Sequence, residues 1–133
     1  MQFKKYPART FRHLVSIPFI YMMVVPLVFL DIFMEVYHRI CFPLYGLPLF
    51  TRNNYIRIDR QKLSYLTLIE KLNCMYCGYA NGLLAYGVAI AGKTEEYWCG
   101  IKHQKQENYQ EPKHHDSFIE YGDESEYNKI SSN

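Results

Sequence analysis

Apolar residues are spread unevenly along the chain. From Leu14 to Leu30, seventeen residues (LVSIPFIYMMVVPLVFL) pass without a charge, and the apolar character continues through Ile32, Phe33 and Met34. A helix rises about 1.5 Å per residue, so roughly 20 residues cross a hydrocarbon core about 30 Å thick. A soluble surface helix needs a polar stripe, and this stretch has none. Pro18 and Pro26 each remove a backbone donor and should bend the helix, which membranes tolerate better than water does. Tyr21 and Tyr37 are placed to act as interfacial anchors. A cleaved signal peptide fits less well, because the apolar run is too long and no Ala-x-Ala site follows it.

Beyond the span the pattern changes. Glu35 and Arg39 stand four apart in the order that supports a helix, which the sequence predicts to end near Cys41. Pro43, Gly46 and Pro48 then mark a connector, in which Tyr55–Ile58 alternates briefly. Asp59 suits an N-cap for a helix through about Asn73, with Leu63, Leu66, Ile69 and Leu72 on one face. CMYCGYANG then predicts a break, followed by a second helix from about Leu83 to Glu96. Residues Leu72 to Gly92 carry no charge, yet Asn73, Asn81 and the glycines make them a poor independent span. Gly82, Ala85, Ala89 and Gly92 suit close helix packing instead.

The pattern therefore predicts an all-α chain. A basic flank over 1–12 leads into a transmembrane or membrane-embedded helix over 13–40. A Pro/Gly connector over 41–58 follows, then a cysteine-bearing helical hairpin over 59–103, then a polar, largely disordered acidic tail over 104–133. In that tail His114-His115-Asp116 could bind a metal weakly, but a solvated polar run is the preferred reading.

Charge sharpens this picture. Residues 1–12 hold four bases and no acid, residues 51–71 five bases and two acids, and residues 93–133 five bases and nine acids. Positive charge on both sides of the span fits a weakly oriented helix or a re-entrant or interfacial one. The net charge of +2, with no broad basic stripe, argues against a nucleic-acid reader. Aromatic content of 17%, with thirteen Tyr, argues against a disordered chain.

The cysteines are the candidate chemistry. Cys74, Cys77, Cys99 and His103 follow C-x2-C-x21-C-x3-H spacing, with Cys41 as an alternative ligand or disulfide partner. A C-x2-C turn brings two thiolates to one ion, and three thiolates with one imidazole make a structural zinc set or, less often, an iron–sulfur set. An unbroken helix over residues 79–97 would be nearly 29 Å long by the usual rise and would keep Cys77 from Cys99. The set therefore needs a broken helix or a second protomer. Disulfides and inert buried thiols are the competing readings. Cys99 and His103 also form a possible activated pair, but no third orienting group stands beside them. Walker, G-x-G-x-x-G, G-x-S-x-G and H-E-x-x-H motifs are absent from the sequence, so no catalytic residue is assigned.

NCMYCGYANG (Asn73–Gly82), EEYWCGIKH (Glu95–His103), CFPLYGLP (Cys41–Pro48) and Tyr121-Gly122-Asp123 together resemble a group of small uncharacterised bacterial membrane-associated proteins. The resemblance covers most of residues 38–123. It implies a bacterial origin and a recurring architecture and supplies no activity; a bacterial origin together with the apolar span makes the inner membrane the expected location.

The functional expectation is a small membrane-anchored binding or accessory module. Its partners would be the bilayer and a protein or a second copy of the chain, with aromatic contacts from Tyr76, Tyr79, Tyr86, Tyr97 and Trp98. The alternatives are a thiol-redox or iron–sulfur electron-transfer protein, and an accessory subunit of a larger membrane complex.

Overall fold

A computed structural model describes residues 7–131 and shows a mostly helical chain with no strand among them. Lys4 and Lys5 of the basic flank lie outside the described residues. The helices are α1 (Thr10–Met22), α2 (Val24–Leu44), α3 (Leu68–Trp98) and α4 (Glu124–Ser131). The chain divides into two compact units, Met1–Tyr86 and Gly87–Asn133, and α3 belongs to both.

The expected apolar helix is present and longer than the sequence predicted, reaching Leu44 rather than residue 40. It is interrupted at Met23 because Pro26 has no N–H to offer Met22. Met23 N–H instead reaches Ile20 O at 3.3 Å. Pro43 lies in the last turn of α2, where its missing donor costs one bond only. Leu47 N–H closes the end on Phe42 O at 2.9 Å.

Two expectations about residues 59–103 are corrected. Asp59 caps no long helix: only a single 3-10 turn, Arg60–Lys62, follows it, without a side-chain cap. The effective start is Thr67-Leu-Ile-Glu70. Glu70 Oε2 accepts from Thr67 N–H at 3.0 Å, and Thr67 Oγ1 stands 3.4 Å from Glu70 N–H, which is a capping box. Nor is there a hairpin, because α3 runs unbroken through CMYCGYANG from Leu68 to Trp98.

The glycines that suggested a break are packing positions. A Cβ on Gly82 would lie 2.7 Å from both Ile56 Cα and Tyr55 O, and one on Gly78 would lie 2.6 Å from Arg57 O. The connector backbone therefore lies directly on α3, and only residues without a side chain admit it. Asn81 also satisfies itself within the helix, its Nδ2 donating to Cys77 O at 2.9 Å.

Contacts in the first unit rise along both helices in the same sense. Tyr21 meets Asn73 at 2.6 Å, Asp31 meets Tyr79 at 2.8 Å, and His38 meets Tyr86 at 2.9 Å. The two helices are thus parallel, and the connector returns alongside them, with Tyr55 and Ile56 at Gly82 and Arg57 at Gly78. Leu27, Ala80 and Leu83 form the core, packed against Met34, Ile56, Tyr76 and Tyr79.

In the second unit Gly100 ends α3. Its φ of +57° turns the chain while its N–H bonds Glu95 O at 3.1 Å. Ile101 then forms a short parallel bridge with Ile119. Ile119 N–H donates to Gly100 O at 2.9 Å, and Lys102 N–H to Ile119 O at 2.8 Å. Between these lies a 3-10 turn, Lys113–Ser117, and beyond them α4. The expectation of a largely disordered tail over 104–133 is corrected over the turn, the bridge and α4; residues 132–133 lie outside the described residues. The bridge, together with buried Phe118 and His115, ties residues 113–119 down.

Candidate functional site

The cysteines are not gathered. Cys74 and Cys77 lie one turn apart in α3, Cys99 follows its end, and all four thiols are free. Cys41 and Cys74 are half-buried, whereas Cys77 and Cys99 are exposed. Cys77 borders a groove of about 500 Å³ between α1 and the start of α3, beside Ile17, Tyr21 and Asn73. Among the described residues, no cluster of three or more ligand-type side chains includes a cysteine. Of the four residues chosen from spacing, only His103 enters such a cluster.

That cluster lies wholly in the second unit. Glu95 sits near the end of α3, His103 beyond the Gly100 turn, and His114 and His115 on the 3-10 turn. One ligand atom each from Glu95, His103 and His115 falls within 4.8 Å of the others. Glu95 Oε1 lies 3.8 Å from His103 Nε2 and 3.2 Å from His115 Nε2. The other carboxylate oxygen, Oε2, lies 2.8 Å from His114 Nε2. Gly92 makes room for the His114 ring: a Cβ there would come within 2.9 Å of Nδ1.

His115 is the unusual member. It is 1% exposed, and neither ring nitrogen has a hydrogen-bond partner among the described residues; the 3.2 Å approach to Glu95 is poorly aligned for one. Its ring stacks on Phe118 at 4.7 Å and stands 5.6 Å from that of His103. The expected solvated His114-His115-Asp116 run is thus corrected at His115. Pro112 begins the turn and Phe118 anchors its far end, which carries His115 inward. Spacing could not reveal the group, because Glu95 and His115 are twenty positions apart with no repeated interval between ligands.

The first unit carries a second polar group, arranged very differently. Arg52 makes a two-pronged pair with Asp31, one prong at 2.5 Å, and Tyr79 OH donates to the same carboxylate at 2.8 Å. The Asp31 carboxylate beside Arg52 raises the guanidinium's affinity for its proton above its ordinary value. Arg39 Nε donates to Glu35 at 2.6 Å. His38 Nε2 accepts from Phe50 N–H at 3.0 Å, so in the neutral ring Nδ1 carries the proton and donates to Tyr86 Oη at 2.9 Å. Tyr86 OH in turn donates to Glu35 at 3.2 Å. Phe42, Phe50 and Tyr55 complete an aromatic surround.

No family model, curated protein or solved structure matches the chain.

Proposed function

We propose that the chain is a small membrane-anchored binding or accessory module, held in the bilayer by the helical stretch Thr10–Leu44. Among the described residues, that stretch and Leu68–Trp98 are long and apolar enough to cross a membrane. One observation carries the reading: between Phe29 and Ile40, Arg39 apart, the polarity of α2 is inverted relative to a soluble helix. Asp31, Glu35 and His38 turn inward to Arg52, Tyr79 and Tyr86, while Phe29, Ile32, Phe33, Val36 and Ile40 face outward. Phe33 is 69% exposed and His38 only 2%. Water penalises such an arrangement, and hydrocarbon favours it.

The parallel helices support one entry into the bilayer rather than two crossings. Two parallel spans would force the connector, with Arg57, Arg60 and Lys62, back through the hydrocarbon, where irregular, charged backbone is costly. The membrane this reading takes is a bacterial inner membrane, on the bacterial origin that the resemblance implies. Partners would dock on the same outward apolar faces, as an accessory subunit does in a larger complex. The zinc, disulfide, thiol-redox and iron–sulfur readings of the cysteines gain no support from thiols that are dispersed and unpaired.

The test is extraction. Membranes from cells expressing the full chain should retain it through an alkaline carbonate wash and release it to mild detergent. A chain that stays monodisperse in detergent-free buffer overturns the proposal.

A further inference from the structure

We infer that Glu95, His103 and His115 form a site for a divalent transition-metal ion of zinc's class, with His114 positioning the carboxylate. Two imidazoles and one carboxylate are a familiar three-ligand set for such ions. Zinc–ligand bonds of about 2.0–2.1 Å at tetrahedral angles put ligand atoms about 3.3 Å apart. The observed 3.2 Å from Glu95 Oε1 to His115 Nε2 matches that edge, and the 3.8 Å to His103 Nε2 needs an inward shift of well under an ångström.

A second observation points to a ligand independently of these distances. A histidine 1% exposed with neither nitrogen hydrogen-bonded is a costly arrangement for a purely structural side chain. A cation at Nε2 gives that nitrogen a partner, which leaves Nδ1 as the one ring nitrogen without one.

The surroundings fit as well. His114 Nε2 at 2.8 Å from Glu95 Oε2 holds the carboxylate so that Oε1 faces the two other rings, the role an outer-shell partner plays in metal sites. His103 keeps 63% of its side chain exposed, so a fourth position lies open to water on that side. Imidazole and carboxylate ligands exclude the softest ions and suit zinc, cobalt or iron(II). The inference goes beyond the membrane proposal and does not rest on it, since the test below is run in detergent whatever the outcome of the extraction.

The test uses the full-length chain, chelator-treated and purified in detergent, with all four cysteines replaced (C41S/C74S/C77S/C99S) so that thiolates cannot contribute. Titration with zinc should give one ion per chain, and cobalt(II) should give visible bands without a thiolate charge-transfer band. His103→Ala and Glu95→Gln should each weaken zinc binding at least tenfold. His114→Ala should weaken it by about 10–100-fold at unchanged stoichiometry. His103 is exposed, so thermal unfolding of metal-free His103→Ala should match the parent, which separates ligand loss from misfolding. Binding that is absent, that appears only above about 1 mM metal, or that survives His103→Ala overturns the site.

Discussion

Two histidines are almost wholly buried, one in each unit, and their hydrogen bonding is opposite. His38 uses both nitrogens, accepting from Phe50 N–H and meeting Tyr86 OH. His115 uses neither. Both rings pack against aromatics, His38 at 4.5 Å from Phe42 and His115 at 4.7 Å from Phe118, so apolar surroundings do not distinguish them. The difference is that the first ring completes a hydrogen-bonded network, whereas neither nitrogen of the second makes an aligned hydrogen bond. Burial alone says little about a polar side chain; what its polar atoms touch decides whether it is structural.

The sharpest way to break that comparison is to replace each ring by phenylalanine in chelator-treated protein. His38→Phe strands Phe50 N–H and takes from Tyr86 Oη the bond it accepts, while Tyr86 OH keeps Glu35, and should lower stability by about 2–4 kcal/mol. His115→Phe removes an unpartnered Nδ1 and an Nε2 whose 3.2 Å contact with Glu95 is poorly aligned, and should change it by less than about 1 kcal/mol. Chemical denaturation in detergent reads both. Equal losses would mean that the two sites are the same kind of core.

A smaller contrast follows from the glycines of α3. Alanine at Gly82 meets backbone at 2.7 Å and should cost about 1–3 kcal/mol, after the usual gain in helix propensity. Alanine at Gly92 meets only the His114 ring, at 2.9 Å, which can rotate aside. Stability should then change by less than about 1 kcal/mol, while zinc affinity falls about tenfold as the carboxylate loses its guide.

The smallest contrast compares ion pairs. Arg52→Ala leaves Asp31 without its cation. It should cost about 1–2 kcal/mol, less than a fully buried pair because a third of the Arg52 side chain remains wet. Lys102, largely covered, and the exposed Glu120 meet at 2.6 Å. The lysine holds Glu120 below the ordinary glutamate range, so the contact is complete above about pH 4.3 and is lost as pH falls through the lower folded value. Amide exchange at Ile119 should accelerate there, with unfolding temperature nearly unchanged.

Much of the fold was legible because hydrophobic runs report on helices directly. The Leu14–Met34 run gave the apolar helix and Pro26 its interruption at Met23, whereas the bend expected at Pro18 is not a break, since α1 runs on through it. Gly78 and Gly82 misled, because a missing side chain signals a break in an isolated segment and an intimate contact in a packed one. Asp59 misled because capping needs a geometry that Thr67 and Glu70 supply and Asp59 does not. The thiols drew attention through their spacing, whereas Glu95 and His115 converge only after the Gly100 turn and the Ile101–Ile119 bridge have formed. Contacts made by folding back leave no periodic trace in a sequence.

The link from Asp31 to Arg52 has a consequence for biosynthesis. Asp31 leaves the ribosome first, and its counter-charge follows only twenty-one residues later. On the membrane reading proposed above, a lone anion borders the greasiest part of the nascent chain through that interval, which disfavours early commitment of α2 to lipid. Insertion would then wait until the arginine emerges, so the timing of translation itself becomes part of how this polypeptide finds its seat.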